Sequence, residues 1–259
     1  MDLREGRERQ RQANACTFPT CRDRLARTLS PLRPLRNGYR NRRAASQIHR
    51  ARRAGSRTVK VLVVHAHPSP DSFVSHLRDA VLEELAAAGH EVRHHDLWQE
   101  NFDPVFTADE KNTHLGDIAT KIERHPALKS HVDDLAWCEA LVLTHPTWWC
   151  GQPAMLKGWF DRILINEVAW RLPDGANRIE PLLRNIRRFI TITTYGSPRW
   201  VNAVQGEPGK RTALRSVRLM FGLRCRVSRL ALYGLDSASL RKRLAFERRV
   251  RRRISILGR

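Results

Sequence analysis

Residues able to do chemistry gather in three short stretches of this 259-residue chain, each following an apolar run. After Val59–Val64 comes His65-Ala66-His67-Pro68-Ser69-Pro70-Asp71-Ser72-Phe73. After Leu141–Thr144 comes His145-Pro146-Thr147-Trp148-Trp149-Cys150-Gly151, and after Arg188–Ile192 comes Thr193-Thr194-Tyr195-Gly196. Hydroxyls and imidazoles ahead of a helix can hold an anion. A helix start adds free backbone N–H groups and the positive end of a dipole. A strand that ends in an aromatic, Gly/Pro-framed loop before a helix is where an open α/β sheet takes a flat ligand. On those grounds Leu141–Phe160 reads as the floor of a flavin site.

Other chemistries are weaker fits. Neither GxGxxG nor GxxxxGK[ST] is present, so the first loop is neither a dinucleotide fingerprint nor a nucleoside-triphosphate loop. A loop with hydroxyls and histidine but no glycine suits a flavin phosphate, with Ser72 as helix cap or phosphate ligand. His65 and His67 would share a face on an extended strand, but no further ligand stands out nearby, and Cys16 with Cys21 is too few for zinc. No metal is expected. The cysteine count of five is odd, which points to a reducing, cytoplasmic compartment. No apolar run approaches the roughly 20 residues of a membrane span.

The elements that must position these loops alternate. Val59–Val64 reads as a central parallel strand buried on both faces. Ser72 opens a helix with Phe73, Leu77, Val81 and Leu85 on one face, and Gly89 stops it. Glu91–Leu97 is an edge strand. Residues 99–128 form a long mixed segment with a short acidic helix near Thr107–Lys111, of the kind that serves as a lid or dimer contact. His131–Trp137 is a helix, Ala140–Thr144 a strand and Pro153–Leu164 a helix with a first-turn proline. Residues 166–175 form a turn-rich loop. Arg188–Gly196 is a strand, Gly209–Phe221 a basic helix-like segment and Arg229–Gly234 the last strand. Ser237–Arg253 closes the chain as a helix with Leu240, Leu244, Phe246 and Val250 on one side. This order predicts five parallel strands with helices on both faces, so that the three loops meet at one sheet edge.

The charge is uneven. The formal net charge is +21, yet residues 1–58 hold sixteen Arg against four acidic residues, and residues 241–259 hold nine basic residues against one. The middle is slightly acidic. Residues 1–58 have breakers at Pro19, Pro31, Pro34 and Gly38 and little periodic apolar content. They are expected to be a disordered basic extension, or no part of the native start, with the folded domain spanning 59–259.

Three motifs, HAHPSPDSF, HPTWWCGQPAMLKGWFDR and TTYG, together resemble the flavodoxin-like NAD(P)H:quinone reductase family. That family includes DT-diaphorase and the ancillary flavoproteins of bacterial potassium efflux. The resemblance covers residues 59–200 well and 201–259 loosely. It implies that His67, Ser72 and Phe73 hold the flavin phosphate, and that Pro146, Thr147, Trp148, Trp149, Cys150 and Gly151 line the isoalloxazine. It implies that Thr193, Thr194, Tyr195 and Gly196 contact the pyrimidine side. Trp149, Trp170 and Tyr195 are then the substrate-side candidates.

The implied activity is hydride passage from NAD(P)H through tightly bound FMN or FAD to a quinone or similar two-electron acceptor, with ping-pong kinetics, in a homodimer. Because the cofactor carries such chemistry, the protein's task is to stack the ring and aim N–H donors at it. Backbone amides from Trp148 to Gly151 and from Thr194 to Gly196 are the expected donors. The chain departs from the family at several positions. Val201 stands where well-known members have a relay tyrosine, and Tyr195 where glycine is usual. Trp170 and Leu172 replace substrate-side tyrosines, and Cys150 replaces an aromatic residue. The alternatives are a regulatory flavoprotein of an ion-efflux system, or a binder of nucleic acid or membrane surface through the basic ends.

Overall fold

The computed structural model describes residues 57–259. The expectation for the N-terminal extension therefore lies, up to residue 56, outside the described residues. The main sheet has five parallel strands in the order β2-β1-β3-β6-β7. These are β1 (Lys60–His65), β2 (Glu91–Asp96), β3 (Ala140–Pro146), β6 (Arg188–Tyr195) and β7 (Arg226–Tyr233). β4 (Trp170–Arg171) falls within the loop expected over residues 166–175 and pairs antiparallel with β5 (Glu180–Pro181), which lies beyond it. The chain steps outward from β1 to β2 and then returns to β3 on the other side. That reversal leaves a crevice above the C-terminal ends of β1 and β3, where open sheets bind ligands.

Both sheet faces are covered, which explains the near-continuous apolar runs. Leu62, Leu141, Leu143 and Phe189 point to one face, against α4 (Lys129–Trp137) and α5 (Ala154–Ile163). Val61, Val63, Val142 and Ile190 point to the other, against α1 (Phe73–Ala87) and α8 (Leu240–Ile254). The α8 stripe differs from the expected one. Phe246, Val250 and Ile254 are buried at i, i+4, i+8, whereas Leu240 is 70% exposed and Leu244 also faces outward. The helix turns its Phe/Val/Ile row to the sheet and leaves the first leucines beyond its edge.

Three further differences have local causes. The strand expected at Arg229 starts at Arg226, because β7 is a sheet edge whose first residues, Arg226-Val227-Ser228, are mostly exposed and hold one apolar residue, too few to show a buried run. Residues 99–128 hold α2 (Ala108–Asn112) and also α3 (Ile118–Arg124), an amphipathic turn too short to show a period. This stretch is clamped rather than loose. Arg162 of α5 donates to Glu110 Oε1 at 2.7 Å and to the Asp103 carbonyl at 2.6 Å, and Thr107 with Glu110 forms a capping box. Finally, the expected helix over Gly209–Phe221 breaks into pieces. After α6 (Arg199–Val204) come α7 (Pro208–Arg211), one π turn over Thr212–Ser216 and a 3₁₀ turn over Val217–Met220. No helix among the described residues is long and apolar enough to cross a membrane.

Candidate functional site

The first loop is built by a helix cap. Ser72 has extended backbone angles (φ −72°, ψ 154°), and its hydroxyl accepts from the Ser75 N–H at 3.1 Å. The first-turn N–H groups of Phe73 and Val74 have no partner among the described residues, as a helix start requires. Behind them His65 is wholly buried, with Nδ1 2.8 Å from Thr144 Oγ1 and Nε2 3.2 Å from Ser75 Oγ. Burial pushes its pKa down to about 4, so it is a neutral hydrogen-bonding post. His65 and His67 do not share a face, because β1 ends at His65. His67 lies on the loop, where its Nδ1 accepts from the Ser69 N–H at 3.0 Å and burial lowers its pKa. In that tautomer its Nε2 carries the proton and is free to donate. Phe73 rests half-buried against His76, ring centroids 6.1 Å apart.

The second loop is a two-residue hairpin. Trp148 and Gly151 exchange backbone hydrogen bonds of 3.2 and 3.0 Å, and Trp149 (φ 47°) and Cys150 (φ 62°) form the turn. Positive φ at both central positions marks a type I′ geometry that normally selects Asn or Gly, so the tip is strained. The strain projects Trp149 into solvent at 101% relative exposure. Trp148 is 42% exposed, with its ring 6.0 Å from that of His67. Trp149 and Trp148 are thus at the surface, available to a ligand and not packed in the core. The hairpin consumes the Trp148 and Gly151 N–H groups. Of the donors expected here, Trp149 and Cys150 remain without a partner among the described residues.

The third loop is tied to the second. Thr147 N–H donates to the Thr194 carbonyl at 2.8 Å, and the hydroxyls of Thr147 and Thr193 are 3.1 Å apart. Pro146, Thr193 and Thr194 are buried at the strand ends, so they present backbone rather than side chains. Tyr195 corrects the substrate-side expectation. It is 3% exposed, stacked on Tyr233 at 4.5 Å, and its hydroxyl takes a 2.9 Å hydrogen bond from Arg229. As the last residue of β6 its side chain is committed to the β7 side. Trp170 is likewise committed elsewhere, donating to the Leu164 carbonyl at 3.0 Å and packing on His114. Gly196 faces Asp236, whose carboxylate would be 2.6 Å from any β-carbon placed there. His67 with Trp148, and Thr147 with Thr193–Thr194, are therefore brought together; Tyr195 and Trp170 are drawn away.

Residues 205–210 form a buttress that sequence reasoning missed. Gly209 N–H donates to the Cys150 carbonyl at 3.0 Å, Gln152 Nε2 donates to the Gly209 carbonyl at 2.6 Å, and the Cys150 thiol lies 2.9 Å from Gln205 Oε1. Cys150 is thus turned to the buttress. Glu207 holds a left-handed conformation (φ 45°) and is pinned by Lys210, Tyr233 and Arg229, the last at 2.9 Å. The run Gly206-Glu207-Pro208-Gly209 was the one available signal, as a turn.

A second unforeseen cluster is His95, Glu100 and His131, whose donor atoms lie within 4.8 Å of one another. Trp159 Nε1–H donates to His131 Nδ1 at 3.3 Å, and burial lowers the His131 pKa to about 3. Neutral His131 then keeps its proton on Nε2, toward Glu100 at 3.8 Å. That tautomer acts as a hydrogen-bond donor and not as a metal ligand.

Residues 59–251 match a family described as having a flavodoxin-like fold. A ribosyldihydronicotinamide dehydrogenase [quinone] of Pongo abelii is 29% identical over 150 residues, covering 53% of this chain and 64% of that protein. An uncharacterized NAD(P)H oxidoreductase, YcaK, of Escherichia coli K12 is 32% identical over 112 residues, 43% of this chain and 55% of its own length. The matched region thus spans less than two thirds of these relatives. Among solved structures, an NAD(P)H:quinone oxidoreductase from Methanothermobacter marburgensis superposes with a TM-score of 0.64 at 24% identity, over 78% of this chain and all of the other. An FMN-dependent NADH-azoreductase from Bacillus anthracis in complex with FMN gives 0.62 at 15% identity, over the same shares. These two likenesses concern the fold. With the 2-1-3-6-7 sheet, three strand-end loops at one edge and a family match across residues 59–251, the chain belongs to the flavodoxin-like family that includes the NAD(P)H:quinone reductases.

Proposed function

We propose that the chain is a flavin-dependent NAD(P)H oxidoreductase delivering two electrons to a quinone or similar acceptor by a ping-pong cycle. The observation that carries this reading is the set of unpaired backbone donors gathered at the sheet edge: Phe73 and Val74 at a helix start, Trp149 and Cys150 at a strained turn. The first pair, with the free Nε2 of His67, suits a phosphate. The second pair, beside the exposed Trp148, suits the polar edge and face of a flat heterocycle. The names of the curated relatives, quinone dehydrogenase and NAD(P)H oxidoreductase, support the same chemistry.

FMN or FAD would supply reversible hydride acceptance there. The protein's own residues bind and orient. His67 and the α1 start would donate hydrogen bonds to the phosphate, and the Thr147–Thr193 and Thr147–Thr194 bonds fix the second loop to the third. The buttress at Gly209 sets the hairpin's height. No side chain of this chain is required to move a proton in that scheme. Trp149, Trp200 and Val204 are large exposed apolar residues, which favours a homodimer that covers some of them.

An absorbance spectrum of the purified protein with cofactor extraction tests the proposal and separates FMN from FAD. A chain that binds neither flavin refutes it. Flavin binding without NAD(P)H oxidation in the presence of a quinone overturns the enzymatic half and points to a regulatory flavoprotein.

A further inference from the structure

At the opposite edge of the sheet, below the N-terminal strand ends, six arginines surround a hollow of about 350 Å³: Arg57, Arg187, Arg188, Arg224, Arg226 and Arg259. The fold forces them together. Arg57 precedes β1, Arg187 precedes and Arg188 opens β6, Arg224 precedes and Arg226 opens β7, and Arg259 follows α8. Arg188 and Arg226 are register partners on adjacent parallel strands. Backbone bonds lock the floor: Arg226 N–H to the Arg187 carbonyl at 2.9 Å, Arg187 N–H to the Glu139 carbonyl at 2.8 Å.

The charges there are poorly balanced. Glu139 contributes the acidic side chain of the lining, and it pairs with Arg57. Arg187, Arg224 and Arg226 form no ion pair among the described residues, whereas Arg188 donates to the terminal oxygen of Arg259 at 2.7 Å. The half-buried Arg188 has its pKa lowered by burial and by the neighbouring charges of Arg226 and Arg253. Like charges on neighbouring strands oppose each other and cost stability. An arrangement of this kind on a concave surface is relieved by an anion of matching shape.

We propose that this hollow binds a small polyanion carrying two or more phosphate groups, at a site separate from the three loops at the other edge. The guanidinium fork matches phosphate oxygens two at a time. The volume falls in the range of small-molecule sites. An open concave cluster of limited extent fits a compact polyphosphate better than the long duplex groove, which needs an extended basic stripe. The assignment is independent of flavin binding.

The test is titration calorimetry of inorganic tripolyphosphate into the full chain at about 150 mM salt, where long-range screening is strong. The expected result is saturable one-to-one binding that weakens tenfold or more in Arg224→Gln/Arg226→Gln. Both residues are exposed and unpaired, so their loss removes repulsion and leaves the fold intact, which a thermal melt verifies. The His67→Ala/Ser72→Ala variant, altered at the far edge, is expected to bind tripolyphosphate as the parent does. Absence of saturable binding overturns the proposal. So does an affinity that ignores the arginine substitutions or follows His67 and Ser72 instead. Binding of duplex DNA that displaces tripolyphosphate and collapses with salt also overturns it, in favour of a nonspecific nucleic-acid surface.

Discussion

Gly209 lies against Gly151 so closely that a β-carbon on Gly209 would stand 3.0 Å from the Gly151 Cα and 3.1 Å from the Cys150 carbonyl oxygen. Both obstacles are backbone, so neither can rotate away. Gly209→Ala is expected to lift the Trp149–Cys150 turn and misplace its two free N–H groups. Flavin affinity should fall by about tenfold, the scale of one charge-assisted or buried hydrogen bond, while the rest of the domain stays folded. Fluorescence titration of FMN and FAD against parent and variant, with a melt of each apoprotein, checks this. An unchanged affinity removes the buttress from the site.

Gly158 answers a different demand. A β-carbon there would be 2.2 Å from the Pro104 carbonyl oxygen and 2.4 Å from the Pro104 Cβ. The glycine of the LKGW motif thus lets the segment around Pro104 cross α5, where Arg162 then grips Asp103 and Glu110. Gly158→Ala gains about 1 kcal/mol of helix propensity but forces an overpacking cost that outweighs it. With an overpacking cost of about 2–3 kcal/mol, a net loss of about 1–2 kcal/mol is expected, seen as a Tm lower by roughly 2–8 °C. A variant as stable as the parent would mean that the 101–106 segment yields freely.

The sequence patterns that predicted these elements worked where burial is two-sided or periodic. Val61–Val64 and Leu141–Leu143 are buried on both faces, and α1 shows its i, i+4 row with a Ser72 cap. They failed where the determining contact is distant along the chain. Nothing near Tyr195 signals Tyr233 or Arg229, so the strand's last side chain could not be assigned to the β7 side. The hairpin was legible as a loop, but its type I′ strain was not, because Trp149 and Cys150 are poor residues for positive φ. The arginines of the basal hollow are scattered over positions 57 to 259 and form no motif; parallel register alone assembles them.

His67 and Ser72 hold the anion end of the proposed flavin site by different means. His67 offers a free Nε2–H, while Ser72 organises the α1 start that exposes the Phe73 and Val74 N–H groups. Ser72→Ala costs about 1 kcal/mol of helix stability as a lost cap. His67→Ala removes a ligand without touching the helix. The double variant is expected to lose flavin more than either single one, with His67→Ala, which gives up only the Ser69 N–H bond on the loop, lowering the apoprotein's melting temperature less than Ser72→Ala does. Full flavin occupancy in the double variant refutes the phosphate-loop assignment.

Acid sensitivity follows from three buried histidines. Burial lowers the pKa of His65 and His145 to about 4 and of His131 to about 3, from an unfolded value of 6.5. Between those limits the unfolded chain binds protons that the folded chain refuses, so stability rises with pH there and is lost as pH falls below about 6.5. Each such histidine contributes a slope of about 1.4 kcal/mol per pH unit. Above pH 7 the three add no dependence. His145 donates from Nδ1 to the Pro146 carbonyl at 2.8 Å, a bond that an amide N–H can replace. His145→Gln is therefore expected to reduce the slope by about one proton while leaving stability at pH 7.5 within about 1–2 kcal/mol of the parent. Urea unfolding at pH 7.5, 6.0 and 5.0 measures this. A slope identical to that of the parent would show that His145 takes up its proton as readily in the folded state as in the unfolded chain, and that burial between β1 and β6 does not hold it neutral.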